Sequence, residues 1–294
     1  MTKTKGPGAL GIIGGSGLYE IAGLRNARWA CVESPFGTPS DDFFCGELAG
    51  RDLVFLPRHG RGHRLSPGDI NYRANIDAMK RAGVTEILSL SAVGSLREAL
   101  SPGTFVIVDQ FVDRTFAREK SFFGKGLVAH VAMAKPVCAR LGDGVEKACR
   151  EASIPCVRGG VYLAMEGPQF STLAESAFYR RSGFDVLGMT NMPEAKLARE
   201  AEICYASVAM VTDYDCWHPD HDGVTVEAIL AVLFANADKA RELVRRCVPY
   251  AGKDGACPEG CDRALDTAIV TAKEARDPAM LKRLEAIIGR ALKG

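Results

Sequence analysis

Short apolar runs alternate with amphipathic segments along most of this chain, and that alternation commits it to an α/β fold. Leu10 to Ile13 reads as a first strand, ended by Gly14-Gly15-Ser16-Gly17. Phe43 to Leu48 and Leu53 to Leu56, joined through Gly50, read as a hairpin. Asn71 to Arg81 is a predicted helix closed by Gly83, followed by a buried strand from Thr85 to Ser91. Phe105 to Val108, Val157 to Leu163, Val186 to Leu187 and Ile203 to Val211 supply further strands. Between them lie helical patterns at Pro136 to Ala152, with proline at the first position, Leu173 to Arg181 and Pro193 to Ala201. Val224 to Arg246 is the longest amphipathic helix. Asp113 to Lys135 has no clear periodicity, and irregular connections of that length are usually functional.

With 294 residues, the chain can bury a large core, as one big domain or two small ones. No internal repeat, low-complexity block or interdomain linker precedes residue 250. The expected organisation is a disordered tail over 1–9, one domain over 10–250, and a helical extension over 251–294 packed on the domain or on a neighbouring subunit. Lys plus Arg is 37 and Asp plus Glu is 36, so the net charge of +1 makes no field that would gather nucleic acid or an anionic membrane. The start is polar and no run of 18 apolar residues occurs, so the expected compartment is the cytoplasm. The ten cysteines are dispersed, and most read as buried apolar residues. Cys257 and Cys261 are the only close pair, with no further Cys or His nearby in sequence to complete a tetrahedral metal site, so no metal is expected. A disulfide there, reduced thiols, and an approach of Cys138 to Cys204 stay open.

Three segments have the chemistry of an anion site. Gly14 to Gly17 lets the backbone turn and point N–H groups at an anion, with the Ser16 hydroxyl to help, although such turns are often purely structural. A dinucleotide site is the rival there, but the glycine spacing fails its rule and no acidic ribose ligand follows. Arg58 to Arg64 concentrates five basic or imidazole side chains just past a strand; this is either a solvated turn or a cradle for phosphate. Ser91-Ala92-Val93-Gly94-Ser95 adds a third strand end with a hydroxyl. Three strand ends of one chemical character are harder to attribute to accident than one.

A second group suits a nucleoside. Phe170 is either core or a stacking face for a base, and Met189 is either core filler or a pocket wall. In Thr212-Asp213-Tyr214-Asp215 an apolar strand runs into two carboxylates spaced by two, which face the same side if the extended geometry persists.

Taken together, Ile13-Gly14-Gly15-Ser16-Gly17-Leu18, Arg58-His59-Gly60-Arg61, Asn71-Tyr72-Arg73-Ala74-Asn75, Gly94-Ser95-Leu96-Arg97-Glu98, Asp109-Gln110-Phe111 and Asp113-Arg114-Thr115 resemble the S-methyl-5'-thioadenosine phosphorylase branch of the trimeric purine nucleoside phosphorylases. Glu166-Gly167-Pro168-Gln169-Phe170, Met192-Pro193-Glu194-Ala195, Cys204-Tyr205-Ala206-Ser207 and Thr212-Asp213-Tyr214-Asp215-Cys216-Trp217 continue the match, which covers about residues 10 to 247 in the family's order. The resemblance implies a single-domain phosphorylase/hydrolase-like fold, a central mixed sheet surrounded by helices. It also implies phosphorolysis of methylthioadenosine to adenine and methylthioribose 1-phosphate, without a cofactor. It places phosphate at Ser16, Arg58, His59, Ser91, the Ala92 backbone and Thr190. Met189 falls at the ribose, Phe170 near the purine, and Asp213 and Asp215 at its N7 and 6-amino edge. Ser171, Val226, Ile229 and Leu230 shape the base and methylthio pockets, and His130 reaches the 5' end from a neighbouring subunit of a homotrimer. Val93 and Gly188 stand where some members carry cysteine and asparagine.

Overall fold

The computed structural model describes residues 8–15, 18–219, 226–252 and 255–292. Residues 1–7 of the expected tail therefore lie outside the described residues, while Ala9 already belongs to β1 (Ala9–Gly14). That strand is buried throughout, between parallel neighbours β4 (Arg51–Pro57) and β5 (Val84–Ser95). A strand covered on both faces needs apolar or small residues at every position, so ALGIIG shows no alternation.

β3 (Phe43–Leu48) pairs antiparallel with β4 across the Ala49-Gly50 turn, where φ is 51° and 79°. Positive φ at both positions gives the turn whose twist suits a two-residue hairpin. β2 (Arg25–Ala30) pairs with β3 at the edge. Its sequence RNARWA is polar because the strand is largely exposed, and for that reason it carries no periodic signal.

On its other side the sheet forks at β5. Residues Glu86 to Gly94 pair with β11 (Cys204–Asp213), whereas Gly94 and Ser95 pair with β10 (Val186–Gly188). β6 (Phe105–Val108) and β8 (Cys156–Arg158) extend the β11 branch; β9 (Val161–Ala164) and β7 (Gln110–Asp113) extend the β10 branch. The chain thus crosses between branches at Asp109 and again at Gly159-Gly160, whose φ values of 91° and 146° suit glycine. The single strand expected over Val157 to Leu163 is therefore two strands with different partners.

α1 (Tyr72–Arg81) begins where the Asn71 side chain accepts the Ala74 N–H at 3.0 Å, and Gly83 turns the chain beyond its end. α2 (Ala139–Glu151) starts three residues after Pro136, with Cys138 at its cap, so the proline precedes the helix and does not open it. α3 (Leu173–Arg181) carries a Thr172/Glu175 capping box. α4 (Glu194–Glu200) packs with α1 over one face of the sheet, and α5 (Val226–Cys247) with α2 over the other. The segment after residue 255 is more irregular than the expected helical extension: two 3-10 turns, then α6 (Pro278–Arg283) and α7 (Glu285–Ile288). Its Leu265, Leu284, Ile287 and Ile288 are buried in one cluster with Ile76 and Met79 of α1. Among the described residues, no helix is long and apolar enough to cross a membrane.

Candidate active site

The carboxyl ends of β1, β4 and β11 and the last third of β5 lie at one end of the sheet, the position where open α/β sheets collect ligands. Arg58 follows β4, and its N–H donates to Gly14 O at the end of β1 (2.8 Å). Its guanidinium is buried. Nε and Nη2 donate to the two Glu194 oxygens at 2.9 and 3.1 Å, Nη1 to Leu90 O at 2.9 Å, and Nη2 also to Ser89 Oγ at 2.5 Å. Burial disfavours the charge, but the paired carboxylate overrides it and keeps Arg58 protonated. Glu194, opening α4, is opposed by burial in the same way, yet is held below the usual carboxylate range by Arg58, Ser89 and Tyr205. These bonds occupy four of the five guanidinium N–H directions and leave one on Nη1.

The basic loop does not act as a unit. Arg61 turns outward to Asp41 (2.7 Å) and stacks on Trp29, and Arg64 donates to Ser40 O (2.7 Å). His59 is tied inward: Nδ1 is 2.9 Å from Leu65 O, and its ring stacks on His63 with centroids 4.3 Å apart. A carbonyl can only accept, so Nδ1 carries the hydrogen and Nε2 keeps its lone pair. Burial, with the Arg58 and His63 neighbours, lowers the His59 pKa to about 4, so the ring is neutral at pH 7.

Ser91 and Ala92 lie inside β5, not at its end, because the strand continues to Ser95. They stand opposite Ala209 and Met210 of β11. Ser91 Oγ is buried and makes no well-formed hydrogen bond among the described residues, with the Tyr162 hydroxyl close by. Beside it, the Tyr162 hydroxyl lies 3.5 Å from Thr190 Oγ1, and Thr190 in turn donates to Asn191 Oδ1 (3.0 Å). Tyr162 explains Gly188: a β-carbon at that position would lie 2.1 Å from the tyrosine oxygen. The tyrosine hydroxyl therefore fills the space that a side chain at 188 would take, a contact that sequence reading had no means to find.

Met189 lies under Gly167, where a β-carbon would come within 2.5 Å of its sulfur. Its carbonyl accepts from Arg118 Nη1 (2.8 Å). Arg118, also missed from sequence, is buried and ties together Glu166, Tyr72, Met189 and Met192. It sits in the irregular 113–135 segment, whose length was the available signal.

Asp213 and Asp215 come together, but not by continued extension. β11 ends at Asp213 after an irregularity in its pairing, and Asp215 has φ 54°. The Asp215 N–H donates to Asp213 Oδ1 (2.8 Å), and Thr212 Oγ1 is 2.7 Å from Asp213 Oδ2. Both carboxyls flank Gly94, where a β-carbon would meet Asp213 Oδ1 at 3.0 Å and Asp215 Cβ at 3.5 Å. Burial raises both pKa values, with the Asp213 charge adding to the effect on Asp215. Asp215 Oδ2 and Ser176 Oγ are buried and make no well-formed hydrogen bond among the described residues, although Ser176 and Ser171 lie close enough to temper the rise at Asp215. Nearby, Ser171 O accepts from the Cys216 thiol, and the Phe170 ring is 44% exposed.

Of the other expected positions, Ser16 lies outside the described residues, as do the side chains of Val226, Ile229 and Leu230 on α5. His130 is exposed in a separate open recess with Lys120, Phe123, Met133, Lys196 and Glu200. The fold also supplies companions for Cys257 and Cys261 that their spacing did not reveal, since Cys138 and Cys204 join them in one buried cluster.

The forked mixed sheet gathers these residues on the side where its parallel strands β1, β4, β5 and β11 end. Residues 9–249 match the model of the phosphorylase superfamily, and the chain belongs to that superfamily. It is 66% identical to the S-methyl-5'-thioadenosine phosphorylase of Rhodospirillum rubrum, over 96% of this chain and 97% of that one. Identity to the protein of the same name from Bradyrhizobium diazoefficiens is 62%, over 97% and 98%. The crystal structure of a methylthioadenosine phosphorylase from an Antarctic soil metagenomic library superposes with a TM-score of 0.90 at 47% identity, covering 96% of this chain and 99% of that one. The Schistosoma mansoni methylthioadenosine phosphorylase in complex with adenine gives 0.76 at 39%, covering 82% and 91%.

Proposed function

We infer that this chain is a pentosyltransferase that cleaves S-methyl-5'-thioadenosine with inorganic phosphate, giving adenine and S-methyl-5-thio-α-D-ribose 1-phosphate in methionine and purine salvage. The observation that carries the reading is that two of the buried polar atoms lacking a well-formed hydrogen bond, Ser91 Oγ on β5 and Asp215 Oδ2 just past β11, lie at this end of the sheet, together with full-length kinship to enzymes of that name. Buried polar atoms are normally satisfied, so such atoms in the last third of β5 and just past β11 are suited to a ligand.

Phosphate binds against Ser16, Ser91, the Ala92 backbone, Thr190 and the remaining N–H of Arg58. A hydrogen phosphate dianion keeps one P–OH, which donates to the free Nε2 of neutral His59. Met189 covers the ribose and Phe170 the purine; Ser171, Val226, Ile229 and Leu230 shape the base and methylthio pockets. In the reaction a phosphate oxygen bonds C1' as the bond from C1' to N9 breaks, and the electron pair leaves with the purine. The dianion stabilises the positive charge growing on the sugar. Asp213, its carboxyl favoured in the acid form by burial, protonates N7, and Asp215 accepts from the 6-amino group. The phosphate proton released in forming the ester restores Asp213 through solvent. No organic cofactor or catalytic metal takes part, and phosphate is the co-substrate. The working unit is a cytoplasmic homotrimer in which His130 of each subunit reaches the 5' end of the nucleoside on its neighbour.

The test is release of adenine from methylthioadenosine with and without phosphate. Release that depends on phosphate and matches its consumption supports the reading; equal release without phosphate makes the protein a hydrolase.

A further inference from the structure

Four cysteines from three distant parts of the chain meet in the core. Cys138 caps α2, Cys204 opens β11, and Cys257 and Cys261 flank a turn in the C-terminal segment. All four are buried and unoxidised, and their sulfurs lie within 4.8 Å of one another. The Cys138 and Cys257 sulfurs are 3.7 Å apart. Four sulfurs bound tetrahedrally at the usual zinc–thiolate length of about 2.3 Å are separated by about 3.8 Å. A disulfide would need about 2.05 Å.

The backbone holds these residues firmly. The Cys138 N–H donates to Tyr205 O (2.8 Å), fastening the α2 cap to β11 beside Cys204. Gly260, with φ 69°, turns the chain so that its N–H reaches Cys257 O (2.9 Å) and Cys261 points back toward the cluster. Asp262 Oδ2 accepts the Cys257 N–H (2.8 Å), the kind of outer support that fixes a ligand-bearing loop. Four thiolates and one divalent cation leave two negative charges. The start of α2, together with Arg140 near Cys138 and Arg199 near Cys261, offsets them.

We propose that Cys138, Cys204, Cys257 and Cys261 form a structural tetrathiolate site for Zn2+, which staples the C-terminal segment to the phosphorylase domain. Soft thiolate ligands in a closed tetrahedral set select zinc among the common divalent ions, and with no open position the site is structural. Binding one Zn2+ to four thiols releases four protons, and no bond to carbon changes. The staple also bears on the 113–135 segment: the His130 N–H donates to Ala268 O (2.9 Å), and the Val128 N–H to Thr271 Oγ1 (2.8 Å). Segment 255–292 thus holds the loop that carries His130. The proposal is independent of the phosphorolysis reading, since its readout is metal content and coordination.

The full chain, purified with a reductant and without chelator, is incubated with ZnCl2, passed through gel filtration and analysed for metal by mass spectrometry. One zinc per chain is expected, falling to none in Cys257→Ser and in Cys261→Ser; zinc retained in both variants overturns the site. Zinc X-ray absorption on the unmutated protein decides the matter even if the variants fail to fold. A shell of four sulfurs supports the site, and a shell with nitrogen or oxygen overturns it. Wild-type protein that binds no zinc, or that shows disulfides among these four cysteines when mapped without reductant, also overturns it.

Discussion

Arg58 and Asp215 are both buried at strand ends of the same sheet, yet their surroundings differ in kind. Arg58 has four hydrogen bonds to protein acceptors, and its partner Glu194 is bonded by Ser89 and Tyr205 as well. Asp215 keeps one oxygen, and Ser91 its hydroxyl, without a well-formed hydrogen bond among the described residues. The first region is held almost wholly by the protein itself, with one Nη1 N–H left over, and its removal should be felt chiefly as lost stability. The second is incomplete, so changes there should be felt chiefly in turnover.

The largest effect is expected from Glu194→Ala. It strands a buried guanidinium without its counter-charge, which costs about 3–5 kcal/mol. Urea denaturation should show that loss; a variant as stable as the parent would break the contrast from its stable side.

Asp213→Asn should do the reverse. Loss of a general acid lowers kcat by about 10²–10⁴. Folding stability at pH 7 should hold or rise, because the change removes a carboxyl whose folded pKa is raised by burial. Such a group stabilises fully below its ordinary pKa, and that contribution is lost as pH rises through the raised folded value. Only the protonated form donates, so wild-type kcat should fall on the alkaline side of the folded pKa. A pH profile in which the variant keeps the same alkaline limb would remove Asp213 from the acid role.

Tyr162→Phe sharpens the comparison at smaller scale. The hydroxyl beside Thr190 and Ser91 is worth about 0.5–1.5 kcal/mol, or roughly twofold to tenfold in KM for phosphate. Nucleoside KM should move less, and initial-rate kinetics with each substrate varied would show whether it does.

The smallest effect concerns acid stability away from the site. Burial opposes ionisation of Asp113, but Lys196, Thr115 and Lys120 hold its pKa at about 2, below the ordinary 3.8. It should add stability above pH 3.8 that is lost as pH falls toward 2. The Asp113 side chain is only 7% exposed, but its partners Lys120 and Lys196 are 33% and 32% exposed and open to screening, so the term stays at about 1 kcal/mol. Asp113→Asn should flatten acid denaturation in that window.

Most of the sheet was legible because buried strands such as β1 and β11 carry continuous apolar runs. β2 and β7 were not: RNARWA is a charged edge, and QFVD is four residues with no periodic signal. The residue types expected at the site were legible as motifs, but their partners were not. Nothing near Arg58 in sequence announces Glu194, which lies 136 residues away, and nothing in Cys257 and Cys261 announces Cys138 and Cys204. Local pattern reports which face is buried; long-range pairing is decided by how the sheet forks.

The central claim is that the Asp213 and Asp215 carboxyls at the end of β11 await a purine edge with a donor at position 6 and an acceptor at N7. It is tested most directly by comparing kcat/KM for methylthioadenosine and methylthioinosine at saturating phosphate. The 6-oxo base sets a lone pair against the Asp215 carboxylate, an unmatched buried contact costing about 1–3 kcal/mol, so cleavage should be roughly fivefold to a hundredfold less efficient. Equal efficiency on the two nucleosides would contradict the assignment of Asp213 and Asp215 to the base.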